Sequence, residues 1–144
     1  QAVLERVLEP SVVVAEIHRV LRKGGVVYAA TPFLQDVQDG PLFTRFTESG
    51  HRFLFRHFER VDSGVVAGAG TALRWSIGHF FRALTRSVVV GRLAALGFFW
   101  LSWLDRYLDP KHALDAASSV YFLGRKTSEE IAARDIVGHY RGAT

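Results

Sequence analysis

The sequence of 144 residues contains no cysteine and no methionine. The lack of cysteine excludes disulfide bonds and thiolate chemistry, and it fits a reducing compartment, so we expect a cytoplasmic protein. Methionine is absent even from the first position, where Gln1 is too large to follow an efficiently removed initiator methionine. We therefore expect the chain to be a fragment of a longer protein. Its first residues also lack the basic and then apolar pattern of a signal peptide.

Long apolar segments and concentrated positive charge are lacking too. The most apolar segment, Leu93–Leu104, falls well short of the roughly 20 residues that a membrane-spanning helix needs, and Arg92 and Asp105 flank it closely. The net charge is +4, but the arginines are scattered instead of clustered, so no nucleic-acid partner is expected. With 49% hydrophobic and 22% charged residues, the composition is typical of one globular domain with a core.

The segment Glu16–Pro32 has the pattern of one α/β step. Apolar residues recur on one helical face from Val13 to Leu21, which predicts a helix that begins near Pro10 and ends at Gly24. The strand that follows is apolar at successive positions until Pro32 stops it. Such a run is typical of a central parallel strand that helices cover on both faces. Ligands of open α/β sheets bind beyond the carboxyl ends of such strands.

After an irregular loop, the pattern predicts further helices and strands. We expect a helix from Thr47 to about Phe58, a strand over residues 59–68, a second strand over residues 118–126 and a terminal helix that ends near Gly138. The terminal helix is predicted because Thr127 and Glu130 have the spacing of a capping box.

Between the two predicted strands lies an inserted helical hairpin, residues 72–109. Apolar residues form one helical stripe from Leu73 to Leu84 and a second stripe from Val89 to Tyr107. The hairpin can pack on the domain or on a protein partner. Alternatively, it forms a lid over an apolar substrate or makes a peripheral contact with a membrane surface, with tryptophan and arginine at the interface.

Several segments occur in the order and spacing of a known family. They are "VLERVLEP" (residues 3–10), "EIHRVLRKGG" (16–25), "TPF" (31–33), "RFT" (45–47) and "LF" (54–55). Together they resemble the carboxyl-terminal half of class I S-adenosylmethionine-dependent methyltransferases of the type-11 group. The sequence departs from the family at Arg6, where histidine is usual, and at Lys23, where proline is usual.

The resemblance implies an α/β, Rossmann-like fold over residues 1–144, with one parallel strand, a terminal antiparallel pair and the inserted hairpin. In this family the amino-terminal strands and a glycine-rich loop hold most of the cofactor. The resemblance implies that these parts are absent from this chain. The implied cofactor is S-adenosyl-L-methionine. The implied reaction is methyl transfer to a small-molecule acceptor, or one linked to a lipid or a sugar, and the activity of this part alone is in doubt.

The resemblance also assigns candidate residues to a site. The cofactor would be bordered by Gln1, Glu5 and Arg6, and the acceptor by Thr31, Phe33, Phe43, Arg45, Phe46 and Thr47. His51 is the candidate general base, because histidine titrates near neutrality, and Asp36, Asp39 and Glu48 are acidic alternatives. Ordinary alternatives stay open: Glu5 and Arg6 can be a solvated helix start, and the phenylalanines can be core residues. No metal is expected, since His51 and His57 lack the spacing that puts two ligands on one helical face.

Two other functions remain open. The chain can be a non-catalytic interaction module that docks a partner or a membrane surface through residues 72–109. It can also associate with itself, because the strand that ends at Pro32 would expose an unpaired edge, and such edges favour strand pairing between chains.

Overall fold

The structure is a computed structural model that describes residues 3–35, 37 and 40–143. Six α-helices and three β-strands lie in these residues, which confirms the α/β class. Their order is α1 (Pro10–Val20), β1 (Val26–Pro32), α2 (Glu48–Leu54), β2 (Phe58–Ala67), α3 (Ala69–Thr85), α4 (Val88–Gly97), α5 (Trp100–Leu104), α6 (Pro110–Asp115) and β3 (Ser119–Lys126). Short 3₁₀ helices occupy Leu4–Arg6, Asp105–Tyr107 and Ala133–His139.

The three strands form one sheet in the order β1–β3–β2. Every pairing is antiparallel, with Ala29 and Ser63 both opposite Phe122 of the central strand. The expectation of a parallel strand is therefore wrong. Within the described residues β1 has β3 as its neighbour, and β3 returns along it in the opposite direction.

One face of the sheet carries the core. Phe55 and Phe58, at the end of α2 and the start of β2, pack against Phe122, and the rings of Phe55 and Phe122 stack with centroids 4.9 Å apart. Helix α1 adds Val14 to this cluster and packs Ile17 beside it. Val13, Ile17 and Leu21 of the predicted stripe pack on this cluster as expected, whereas Val20 is exposed. Helix α1 ends at Val20, before the predicted end at Gly24.

The opposite face of β1 is open, contrary to the expectation that helices cover both faces. Val26 and Tyr28 are exposed on it, although Ala29 and Thr31, which point to the other side, are buried. Tyr28 stacks on Tyr121 of the neighbouring strand, with ring centroids 5.9 Å apart. The run of apolar residues in β1 led to the prediction that both faces are buried. Such a run does not show whether a helix lies over each face of the strand.

The two helices next to the sheet differ from their predicted bounds. Thr47 caps α2 as expected, since its hydroxyl accepts a hydrogen bond from the Gly50 N–H at 3.0 Å, but α2 ends at Leu54. Only the last part of the predicted terminal helix forms, as the 3₁₀ helix Ala133–His139, and residues 127–132 are not helical. Before it, the Ile131 N–H donates to the Arg56 carbonyl at 3.1 Å, so this donor is used by the residues after α2 instead of by a helical turn.

Helices α3 to α6 form the connection between β2 and β3. The chain leaves and re-enters the sheet at one place, because the Ser118 N–H donates to the Ala67 carbonyl at 2.8 Å. Helices α3, α4 and α5 then pack mainly on one another. Among the described residues, no single helix is long and apolar enough to cross a membrane, although α4 and Trp100–Tyr107, bent by 41° from each other, meet that criterion as a pair.

The carboxylate of Asp105, the residue that follows α5, caps the start of α3. Asp105 accepts hydrogen bonds from the N–H groups of Gly68, Gly70 and Thr71 at 3.1, 2.7 and 3.1 Å, and from the Thr71 hydroxyl at 2.6 Å. These are donors at the start of α3 that have no partner within the helix. A Cβ at Gly70 would collide with the Leu101 carbonyl, so the close approach requires glycine.

We expect Asp105→Ala to lower the free energy of unfolding of helices α3 to α5 by about 2 kcal/mol. The substitution removes a charged cap of α3 and the hydrogen bonds that join the start of α3 to the end of α5. Urea unfolding followed by tryptophan fluorescence reports on this region, since Trp75, Trp100 and Trp103 all lie in it and are the protein's three tryptophans. Asp135→Ala, which changes an exposed carboxylate of the same charge, is the control. Equal unfolding midpoints for both variants would contradict the role of Asp105.

Candidate functional site

The loop before α2 joins the start of the chain to the carboxyl end of β1. The Phe43 and Thr44 N–H groups donate to the Glu5 carbonyl at 2.8 and 3.3 Å. The Phe46 N–H donates to the Pro32 carbonyl at 3.4 Å. These bonds bring the 3₁₀ helix Leu4–Arg6, the loop and the strand end together. We call this group of residues, Glu5, Thr31–Phe33 and Phe43–Phe46, the strand-end site.

Two side chains of the strand-end site each carry a buried oxygen that has no hydrogen-bond partner in the part of the chain that the structure describes. Glu5 is 2% exposed, and its Oε2 has no hydrogen-bond partner among the described residues. Thr31 is also buried, and its hydroxyl likewise has no hydrogen-bond partner among the described residues. Leaving such groups unsatisfied is costly, so native proteins complete their hydrogen bonding with solvent or a ligand. The sequence predicted both residues, but not that they would be buried.

The proposed acceptor residues divide into exposed and buried ones. Phe43, Arg45 and Thr47 are exposed, and Phe33 is half-buried. Arg45 lines a cavity of about 360 Å³ together with Leu34 and Gln35, and residues near the start of α3 form its other wall. The structure thus places Arg45 beside the first turns of α3, and the sequence did not predict this proximity. Phe33 and Phe43 do not line this cavity.

Phe46 belongs to the core rather than to an accessible wall. It is buried within the cluster that includes Phe55 and Phe122, and its ring stacks on that of His51 with centroids 5.7 Å apart. Truncation to alanine would leave a cavity that costs about 3 kcal/mol of stability. Its effect on activity would therefore report on folding, and exposed Phe43 is the better probe of an acceptor.

His51 lies inside an aromatic cage. It is 1% exposed, and its ring contacts those of Phe46, Phe55 and Phe122 at centroid distances of 5.7, 5.2 and 6.3 Å. Neither ring nitrogen has a hydrogen-bond partner among the described residues. Burial lowers the pKa of the imidazole to about 4, so it is neutral and weakly basic at neutral pH. This environment does not favour a general base, and that role of His51 stays a prediction.

The remaining predicted residues are distributed as follows. Arg6 is exposed on the 3₁₀ helix. Glu48 is buried and accepts a hydrogen bond from the Ser63 hydroxyl at 2.7 Å, which gives it a structural partner on β2. Gln1, Asp36 and Asp39 lie outside the described residues. In the part of the chain that the structure describes, no group of three metal-ligating side chains has an arrangement that suits a metal ion.

Sequence reasoning missed a larger cavity on the open side of the sheet. Its volume is about 880 Å³, and β2, the segment around Asp105 and the carboxyl-terminal residues line it. At its edge the Tyr121 hydroxyl donates to Asp62 at 2.6 Å, which lowers the pKa of Asp62 and raises that of Tyr121. Arg141 closes the rim through a 3.1 Å bond to the Ser63 carbonyl. The contact of Asp62 with Tyr121 follows from the register of β2 with β3, which the sequence pattern does not give.

Comparison of the chain with known protein families, curated proteins and solved structures finds no significant match. The function is therefore argued from the motifs and from the geometry of the strand-end site.

The buried imidazole predicts a specific pH dependence of stability. The pKa of His51 is about 4 in the folded chain and about 6.5 when unfolded, so the unfolded chain binds more protons between these values. The free energy of unfolding should fall by up to about 3 kcal/mol as the pH decreases from 6.5 to 4. His51→Phe, which keeps an aromatic ring in the cage, should remove this part of the dependence.

Urea unfolding at a series of pH values measures the difference between the protein and the variant. His112→Gln, which changes an exposed histidine, serves as the control and should leave the profile above pH 5 nearly unchanged. Parallel profiles for the protein and His51→Phe would show that the imidazole is not held neutral by burial.

Proposed function

We propose that the chain is the carboxyl-terminal part of a class I S-adenosylmethionine-dependent methyltransferase. Its acceptor would be a small molecule or a group linked to a lipid or a sugar. The observation that carries the proposal is the meeting of two family motifs, "TPF" and "RFT", at the strand end. They are separated by an irregular loop, yet the Phe46 N–H reaches the Pro32 carbonyl. Pro32 is the carboxyl end of β1, and in the open α/β sheet of the proposed fold ligands bind beyond the carboxyl ends of the strands.

The sheet gives further support. The resemblance implies a terminal antiparallel pair, and β2 and β3 form one. The edge of β1 that faces away from β3 has no strand partner among the described residues, and the 3₁₀ helix Leu4–Arg6 lies against β1. In the proposed Rossmann-like arrangement, strands of the longer protein would pair with this edge of β1, although every pairing among the described strands is antiparallel. The same edge is where the chain alone would associate with a second copy.

The residues of the strand-end site fit a cofactor that carries an ammonium group. Glu5 Oε2 is a buried acceptor to which no described residue donates, and a buried carboxylate needs a donor or a cation close by. S-adenosyl-L-methionine, when bound, supplies an electrophilic methyl group on sulfur. Glu5 would hold the ammonium end, and exposed Phe43 and Arg45 would orient the acceptor and limit access of water. Alignment of this kind provides most of the rate of a displacement reaction.

Calorimetric titration of S-adenosylhomocysteine tests the proposal. It should be carried out with the 144-residue chain and with the full-length gene product. We expect the full-length product to bind and the chain alone to bind weakly or not at all, because most of the cofactor contacts lie outside it. Absence of binding to either protein would overturn the methyltransferase assignment.

In the full-length product, Glu5→Gln should weaken binding of S-adenosylhomocysteine about tenfold, the effect of losing one charged hydrogen bond. Glu9→Gln changes an exposed carboxylate a few residues away and should leave the affinity unchanged. Equal affinities for both variants would remove Glu5 from the site while leaving the assignment of the family to the titration itself.

A further inference from the structure

Helices α3 and α4 contact each other through small residues. Gly78 of α3 faces Gly91 and Ala95 of α4, and a Cβ at Gly78 would lie 3.0 Å from the Ala95 Cβ and 3.1 Å from the Gly91 carbonyl. Gly91 and Ala95 are four residues apart and are the buried residues of α4. Contacts between small residues at this spacing are typical of helix pairs in lipid, where large side chains gain nothing by turning inward.

The large apolar residues of both helices point away from this contact. On α4, Val89, Leu93 and Leu96 share the face opposite Gly91 and Ala95, and they are 65%, 61% and 61% exposed. On α3, Phe80 and Leu84 are exposed to a similar extent. A surface helix of a water-soluble domain normally turns its apolar stripe toward the core. This pair does the opposite, so its outer surface suits an apolar environment.

Aromatic side chains extend the same surface. Phe99, Trp100, Trp103 and Tyr107 are exposed on α5 and its flanking residues, and Arg106 lies over the Trp103 ring at 4.9 Å. Tryptophan and tyrosine favour the boundary between lipid chains and headgroups, because each has an apolar body and a polar tip. We call α3, α4 and α5 with Asp105–Tyr107 the helical lobe.

The charged side chains of the helical lobe before Asp105 are all positive. Between residues 63 and 104 the sequence contains no aspartate or glutamate, and its charged residues are Arg74, Arg82, Arg86 and Arg92. Three of these arginines line a groove of about 600 Å³ between α3 and α4, and no acidic side chain of the described residues lines it. Arg74 is held there by a 3.0 Å bond to the Ala95 carbonyl. Phosphate groups are the natural counter-ions of such a groove.

We propose that the helical lobe docks in the plane of an anionic membrane surface. The stripe of Val89, Leu93 and Leu96 would enter the region of the lipid chains, and Arg82 and Arg92 would lie at the phosphates. Ten-residue α4 is about 15 Å long, half the thickness of the roughly 30 Å hydrocarbon core, so α4 alone does not span it. The pair of α4 and Trp100–Tyr107 has the length but is bent by 41°, and the exposed aromatic residues of the second segment suit the headgroup boundary, so we place the lobe at the surface. Anionic lipid is favoured over a second copy of the chain, since self-association through this surface would bring arginines together. This inference does not depend on the methyltransferase assignment.

The three tryptophans make the experiment direct, because all of them lie in the helical lobe. The full chain is mixed with vesicles of phosphatidylcholine, with or without phosphatidylglycerol, and tryptophan emission is recorded. We expect a blue shift, quenching by brominated lipid chains and co-sedimentation with the anionic vesicles. High salt should weaken the binding, because the attraction of arginines to headgroups is screened.

Two double variants separate the apolar and the charged contributions. Val89→Ser with Leu93→Ser should weaken vesicle binding by at least roughly tenfold. Arg82→Gln with Arg92→Gln should weaken it roughly twentyfold at low salt. All four side chains are exposed, so the variants should fold, which circular dichroism verifies.

The matched controls change exposed residues elsewhere. They are Val12→Ser with Val137→Ser for the apolar pair and Arg125→Gln with Arg134→Gln for the charged pair. Lobe and control variants that bind equally well would overturn the proposal, as would binding without preference for anionic lipid. A dimer in sedimentation velocity that Val89→Ser with Leu93→Ser dissociates, without vesicle binding, would also overturn it and assign the surface to a second copy.

Discussion

The position of β3 between β1 and β2 is the constraint on which the remaining structure depends. β3 is the last strand in the sequence, yet it is hydrogen-bonded along both edges. Phe122 on this strand therefore contacts the aromatic cluster of α2, and Tyr121 on its other face reaches Asp62. The core and the open face of the sheet both form only when the carboxyl-terminal part of the chain has folded back. Pairing between strands that lie far apart in the sequence generally forms more slowly than local contacts.

Local signals in the sequence predicted most elements but not their surroundings. The helix α1, the hydroxyl of Thr47 that caps α2, and the strands β2 and β3 follow from periodicity and capping, which act within a few residues. The direction of β1 relative to its neighbour and the exposure of Tyr28 depend on which strand lies beside it. The first turn of the predicted terminal helix is missing for a similar reason, since a hydrogen bond from Ile131 to Arg56 replaces the turn that Thr127 and Glu130 had predicted, and only a 3₁₀ helix follows.

The candidate site shows the same division between local pattern and burial. The motifs located the strand end, and the structure joins them there through backbone hydrogen bonds. Residue type alone could not show that His51 is enclosed by phenylalanines, that Phe46 is a core residue, or that Glu5 Oε2 is buried with no donor among the described residues. Burial changes the chemistry of each group, because it makes an imidazole less basic and an unpaired carboxylate costly. Arg45, by contrast, is accessible and points to a wall that belongs to another part of the chain.

That wall links the two proposals. The cavity beside Arg45 is closed by Ala72 and Leu73 of α3, and the apolar stripe of the same helix continues to Phe80 and Leu84 on its exposed part. If both proposals hold, α3 would lie on a membrane with one part and border the cavity beside Arg45 with another, so its apolar residues would connect the membrane to the strand-end site. Asp105, which caps α3, fixes the helix relative to β2 and thus fixes the lobe relative to the site. An acceptor held in the membrane would then need little freedom to reach the strand end, which favours a lipid-linked acceptor over a freely diffusing one.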